Sequence, residues 1–201
     1  MAESIDAVED YFIVDSKPLP VCHNARASRS TMGLGNDSLA PDFGYCAARK
    51  QYYYGYKIHL TSGLRGVIHT FTLSTASVHD IHYLQDVKLE IPDSTIIGDR
   101  AYLSARMQLD LFETANIRLE VPYRRNQKDY TPVYKPFAKA WKRIETTLSQ
   151  LNDQFMMIRN YAKNFAGFST RILAKITAFT MLQYLNVKQN KPIGKTKFAL
   201  A

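Results

Sequence analysis

A chain of 201 residues with 46% apolar and 22% charged side chains can bury one core of ordinary size; it has neither the polarity of a disordered segment nor the composition of collagen or a coiled coil. Its formal net charge of +8 is unevenly spread: residues 1–120 hold 11 Lys+Arg against 15 Asp+Glu, and residues 121–201 hold 15 against 3. Two cysteines cannot staple a secreted scaffold, the acidic first ten residues are unlike a signal peptide, and the most apolar long stretch, 166–186, contains Arg171 and Lys175. The expectation is a cytoplasmic chain with reduced thiols and no membrane span.

In chain order, residues 11–14 (YFIV) read as a short buried strand ended by Asp15-Ser16 and a turn at KPLP, because proline punctuates regular structure. Residues 18–50 carry Gly33, Gly35, Asn36, Pro41 and Gly44 with little periodicity and predict a long loop insertion. Residues 51–61 (QYYYGYKIHLT) and 66–75 (GVIHTFTLST) alternate and are rich in aromatic and β-branched side chains, which predicts a hairpin. Val78, Ile81, Leu84 and Val87 mark a short amphipathic helix whose first turn holds His79 and Asp80, the aspartate complementing the helix dipole. A second β-branched strand, STII, is followed at once by Gly98-Asp99; residues 101–115 then read as helix and 116–122 as strand.

The clearest helix carries Phe137, Trp141, Ile144, Leu148, Leu151, Phe155 and Ile158 at alternating steps of four and three, one continuous apolar stripe. A last helix spans 168–185, and a Lys-rich tail from 188 is expected to fray. Strands and helices in this order predict an α/β domain built on a mixed sheet.

Three carboxylates stand out. Asp15 and Asp99 each follow a short buried strand, where open α/β sheets bind ligands. Glu145 lies at the border of the long apolar stripe and is the only glutamate after residue 120. Hard oxygen donors from separate elements suit Mg²⁺, and two such ions about 4 Å apart hold the attacking and leaving oxygens of a phosphodiester in line. The basic C-terminal segment suits the phosphates of nucleic acid. Taken one at a time, each carboxylate is better read as a turn residue, a helix cap or half of a surface ion pair.

The ordered set YFIVDSKPLPVCHNARASR around Asp15, YYYGYKIHL and its hairpin strand, IIGDRAYLS around Asp99, and RIETTLSQL around Glu145 resembles the DDE-type transposases of bacterial insertion sequences. The carboxylates are 84 and 46 residues apart, as in that family. The resemblance implies a ribonuclease H-like fold over 11–187, preceded by a short N-terminal remnant (1–10) and followed by a basic tail (188–201). It implies Asp15, Asp99 and Glu145 as catalytic residues and ligands of two Mg²⁺ ions, with Mn²⁺ as a substitute. It implies cleavage of DNA at the element's terminal inverted repeats, transfer of the freed 3′-hydroxyl into target DNA, and a homo-oligomer on DNA. Lys142 and Arg143 resemble the basic residues such transposases keep around the glutamate; Asn152 stands where a cation often follows, with Arg159 as its replacement. Lys139, Arg124 and Arg125 complete the expected DNA contacts. Only 14 residues precede Asp15, which suggests a truncated N-terminus lacking an end-recognition region. A nuclease without strand transfer and an inactive DNA-binding remnant are the competing readings.

Overall fold

The computed structural model of the chain describes residues 5, 10–33, 39–122 and 135–200, with side chains from residue 139 in the last stretch. Among them six strands form one mixed sheet: β1 (Tyr11–Cys22), β2 (Asp42–Cys46), β3 (Gln51–Gly63), β4 (Ile68–Thr75), β5 (Thr95–Ile97) and β6 (Arg118–Glu120). The order is β2-β3-β1-β5-β6, and β4 continues the edge of β3 that β2 begins: β2 pairs with residues 51–55 and β4 with 56–62. β1 runs antiparallel to β3 and parallel to β5, which is parallel to β6.

Among the described residues four helices of eight residues or more cover the sheet: α1 (Tyr83–Glu90), α2 (Ala105–Ala115), α3 (Lys135–Asp153) and α4 (Phe165–Lys188). Alternation along β1 divides the core in two. Ile13 and Leu19 face α3 and α4, packing with Ile144, Leu148, Leu151, Phe168, Ile172 and Phe179. Val14 faces the other way, with Leu84 and Val87 of α1 and Leu111 of α2. The α/β expectation holds, and the architecture is ribonuclease H-like. No helix among the described residues is long and apolar enough to cross a membrane.

Several element boundaries differ from the sequence reading. β1 does not end at Val14 but runs to Cys22, through Pro18 and Pro20. Thr95 N–H donates to Asp10 O, so even-numbered residues of β1 turn their main-chain groups toward β5. β5 pairs only with residues 11–13, and the prolines' missing N–H groups therefore fall on an open edge, where proline is tolerated. The expected loop at 18–50 contains the end of β1, a 3₁₀ turn (Asn24–Arg29) and β2.

The helix expected from Val78 begins at Tyr83, after a 3₁₀ turn (Asp80–His82). The helix expected over 101–115 is a 3₁₀ turn (Arg100–Tyr102) followed by α2, which Ser104 caps and Asn116, in the left-handed conformation, ends. The long stripe is likewise interrupted: α3 stops at Asp153, Met156 takes φ 52°, and Phe155 and Ile158 reach the core from the turn beyond.

The tail is held rather than frayed. Asn186, at 0% exposure, donates from Nδ2 to Pro192 O and Lys195 O at 3.2 and 2.9 Å. Gln150 of α3 donates to Gly194 O, and the buried Thr196 hydroxyl bonds Gln154. Removing residues 192–201 is expected to lower stability by about 2 kcal/mol or more, since several buried side chains lose partners. Urea denaturation of the shortened chain checks this; an unchanged midpoint would mean that the tail contributes nothing.

Candidate active site

The sheet register brings Asp15 and Asp99 level. Ile13 of β1 pairs with Ile97 of β5 in parallel, and each aspartate lies two residues further along its own chain. The ladder ends there: β5 stops, while β1 continues paired only to β3, with Asp15 opposite Leu60. Asp15 thus sits within a strand rather than after one, as the sequence reading had it, but it opens onto the gap that β5 leaves.

Each aspartate spends one oxygen locally. Asp15 Oδ1 accepts Ser16 N–H at 2.7 Å, and Asp99 Oδ1 accepts Ala101 N–H at 2.7 Å, capping the 3₁₀ turn. Neither has a partner for its second oxygen among the described residues. Burial pushes the Asp15 carboxyl up to about 7, and the negative charges of Asp99, Asp80 and Glu145 add to this against the Ser16 N–H. Asp99 is also raised, chiefly by burial and further by Asp80.

Asp80 is the member that sequence reading misplaced. It does not simply complement a helix dipole: Oδ1 takes an ion pair from Lys57 Nζ at 2.7 Å and Oδ2 accepts the Ser16 hydroxyl at 3.0 Å. The available signal was Lys57, the only Lys or Arg in β3 and one of its half-buried positions, which calls for a counter-charge nearby. Tyr102 was missed as well. Its ring packs on Gly98, where an added Cβ would lie 3.1 Å from ring Cδ2. Its hydroxyl is buried without a hydrogen-bond partner among the described residues. Burial and the charges of Asp80, Asp15 and Asp99 hold this phenol well above the usual tyrosine range.

Glu145 comes from α3, which packs on the Ile13 face of β1 through Ile144 and Leu148; the Lys17 ammonium on that face donates to Leu148 O at 3.4 Å. Glu145 is exposed, and Oε1 accepts Trp141 Nε1–H at 3.1 Å. At about 100° per residue, Glu145 and Arg143 flank the buried stripe on opposite sides, roughly 160° apart.

The basic residues expected to act together therefore separate. The Arg143 stem packs against Gly66, and its guanidinium lies where a Cβ on Gly194 would collide, on the flank away from the carboxylates. Lys142 and Lys139 are exposed on the outer face of α3 between the two flanks. Arg159 is exposed in the turn after α3, not lower on that helix. Arg124 and Arg125 lie outside the described residues.

Among the described residues no group of three or more His, Cys, Asp or Glu is drawn together closely enough to hold a metal ion. The chemistry of the donors still suits a hard divalent cation: Asp15 and Asp99 are neighbouring carboxylates, each disfavoured as an anion chiefly by burial and each with an oxygen to give.

Comparison with known proteins matches the sequence to the transposase DDE domain family over residues 6–181. The chain belongs to that family, whose members carry out polynucleotidyl transfer on DNA. Among curated proteins no match is found.

The raised Asp15 carboxyl has a signed consequence for stability. Its proton is held to higher pH in the folded chain than at the ordinary value of 3.8, so its contribution is fully present below about pH 4 and is lost as pH rises through about 7. In EDTA, the wild-type chain is expected to lose on the order of 4 kcal/mol across this window relative to Asp15→Asn. Urea titrations at both ends measure the difference; parallel profiles would contradict it.

Proposed function

We propose that this chain is the catalytic domain of an insertion-sequence transposase that cleaves DNA at element ends and joins the freed 3′-hydroxyl to target DNA. The observation that carries the reading is the register that sets Asp15 beside Asp99 where β5 ends, on a sheet face covered by the helix that bears Glu145. In this reading Asp15, Asp99 and Glu145 hold two Mg²⁺ ions, with Mn²⁺ able to replace them. When bound, such ions supply Lewis acidity at the scissile phosphate and lower the pKa of an attacking water.

The chain's own groups set the stage for that chemistry. The Ser16 and Ala101 N–H groups fix the orientation of Asp15 and Asp99. Glu145 gives up its Trp141 bond to join them. The Lys57 ion pair holds Asp80 against the Ser16 hydroxyl, which fixes the chain beside Asp15. Lys142, Lys139 and Arg159 are exposed and supply charge to the DNA backbone. Two copies acting together would pair the two ends of an element.

Asp99→Asn and Glu145→Gln are expected to reduce Mg²⁺-dependent cleavage, and strand transfer from a pre-cleaved end, by about three orders of magnitude or more, with little change in DNA affinity. Asn keeps an oxygen acceptor for Ala101 N–H, so the turn after β5 stays capped. Cleavage without strand transfer would favour a nuclease. Failure of the unmodified chain to cut any DNA with Mg²⁺ or Mn²⁺ would refute the catalytic reading.

A further inference from the structure

About 20 Å along β1 from Asp15, by the six-residue separation of Val21 at roughly 3.3 Å each, lies a cavity of about 420 Å³. It is bounded by the end of β1, the 3₁₀ turn (Asn24–Arg29) with the residues after it, and the approach to α4. Its walls carry Arg26, Arg29 and Lys163 with Ser30 and Thr31, and no acidic residue is among the described residues lining it. Val21, also in the wall, packs on the α3/α4 side of the sheet, the side of Ile13 and Asp15.

The two arginines are an unusual pair. A 3₁₀ helix has about three residues per turn, so side chains three apart eclipse one another, and Arg26 and Arg29 stand on one side of the turn. Like charges so placed repel, and neither arginine nor Lys163 has an ion pair among the described residues. The walls are nevertheless fixed. Asn24 Nδ2 donates to Tyr52 O at 2.9 Å and His23 Nδ1 accepts Ala25 N–H, tying the turn to β3. On the other wall, Asn160 donates to Phe168 O and accepts Ala162 N–H, while Phe165 and Phe168 pack on Tyr56. A concave surface whose charged groups, among the described residues, are all cations, with two hydroxyls beside them, suits an anion with several oxygens.

We propose that this cavity binds a backbone phosphate of duplex DNA. At about 3.4 Å of rise per base pair, a 20 Å separation places the phosphate about six base pairs from the bond beside Asp15. The distance rests on the proposed role of the carboxylates; the phosphate site itself does not. Arginine forks match phosphate oxygens in pairs, and the Ser30 and Thr31 hydroxyls can donate to the remaining ones.

The test is duplex binding in EDTA, read by fluorescence anisotropy over a salt series, which leaves the carboxylate chemistry silent. Arg26→Ala/Arg29→Ala is expected to weaken binding about tenfold or more at moderate salt and to flatten the log–log salt slope by about 0.9 for each phosphate no longer neutralised. Lys163→Ala should shift both in the same direction, while Arg118→Ala, at the exposed start of β6 near Glu120, should leave both unchanged. A double variant with an intact circular dichroism spectrum and unaltered affinity and slope would overturn the proposal. Thermal protection of the wild type by millimolar inorganic phosphate, with DNA binding unaffected by the double variant, would overturn it in favour of a small-anion site. Loss of cleavage in Asp99→Asn without these binding effects would uphold the catalytic reading and refute this one.

Discussion

β1 is twelve residues long and β5 only three, and they stop pairing at Ile13 and Ile97. The carboxylate site depends on that mismatch. Had β5 continued, its backbone would fill the edge beside Asp15, and the carboxylate would be one more side chain on a paired strand. Because it stops, the chain turns away at Gly98, Tyr102 folds back over the glycine, and two carboxylates are left level with each other. Burial raises both, with Asp99 and Asp80 adding to Asp15 and Asp80 to Asp99, a state that is costly alone and relieved by a cation. The same open edge accommodates Pro18 and Pro20, which could not donate to a partner strand.

Helix α3 adds the second requirement, that charges of opposite sign stay apart. Its buried stripe fixes the helix on the sheet, and the positions on either side then have different fates. Glu145 falls on the flank toward Asp15, close enough to raise that carboxyl. Arg143, two residues earlier, is turned to Gly66 and Gly194, where it packs the β3–β4 turn against the tail. A cation directly beside Glu145 would neutralise it; the helical period instead directs Arg143 into a structural contact and leaves Lys142 and Lys139 facing outward.

Much of this was legible from the sequence where local pattern decides. The mixed sheet, the hairpin and the α3 stripe follow from periodicities of two and 3.6, and the ordered motifs single out Asp15, Asp99 and Glu145. What was not legible depended on partners distant in sequence. Proline normally ends a strand, and only the shortness of β5 lets β1 run through two of them. Asp80 read as a helix-dipole residue because Lys57 is 23 residues away and nothing local pairs them. The Lys-rich tail read as loose because Asn186, Gln150 and Gln154, which hold it, are unremarkable singly. Net charge misled in its own way: summing residues 1–120 to a negative value hid Arg26 and Arg29 inside an acidic half.

Charge is therefore distributed differently over the surface than along the chain. The division into an acidic sheet half and a basic helical half is true of the sequence but not of the folded molecule. Along one strand the described structure passes from Asp15, where negative charge is concentrated, to the cationic cavity beyond Cys22. A polyanion could not rest on the carboxylates unaided, since they repel it; it needs attraction on either side and a cation between. In the proposed reading that attraction comes from Lys142 and Lys139, exposed on α3, and from Arg26, Arg29 and Lys163 at the cavity, so that cations from both halves of the chain serve it.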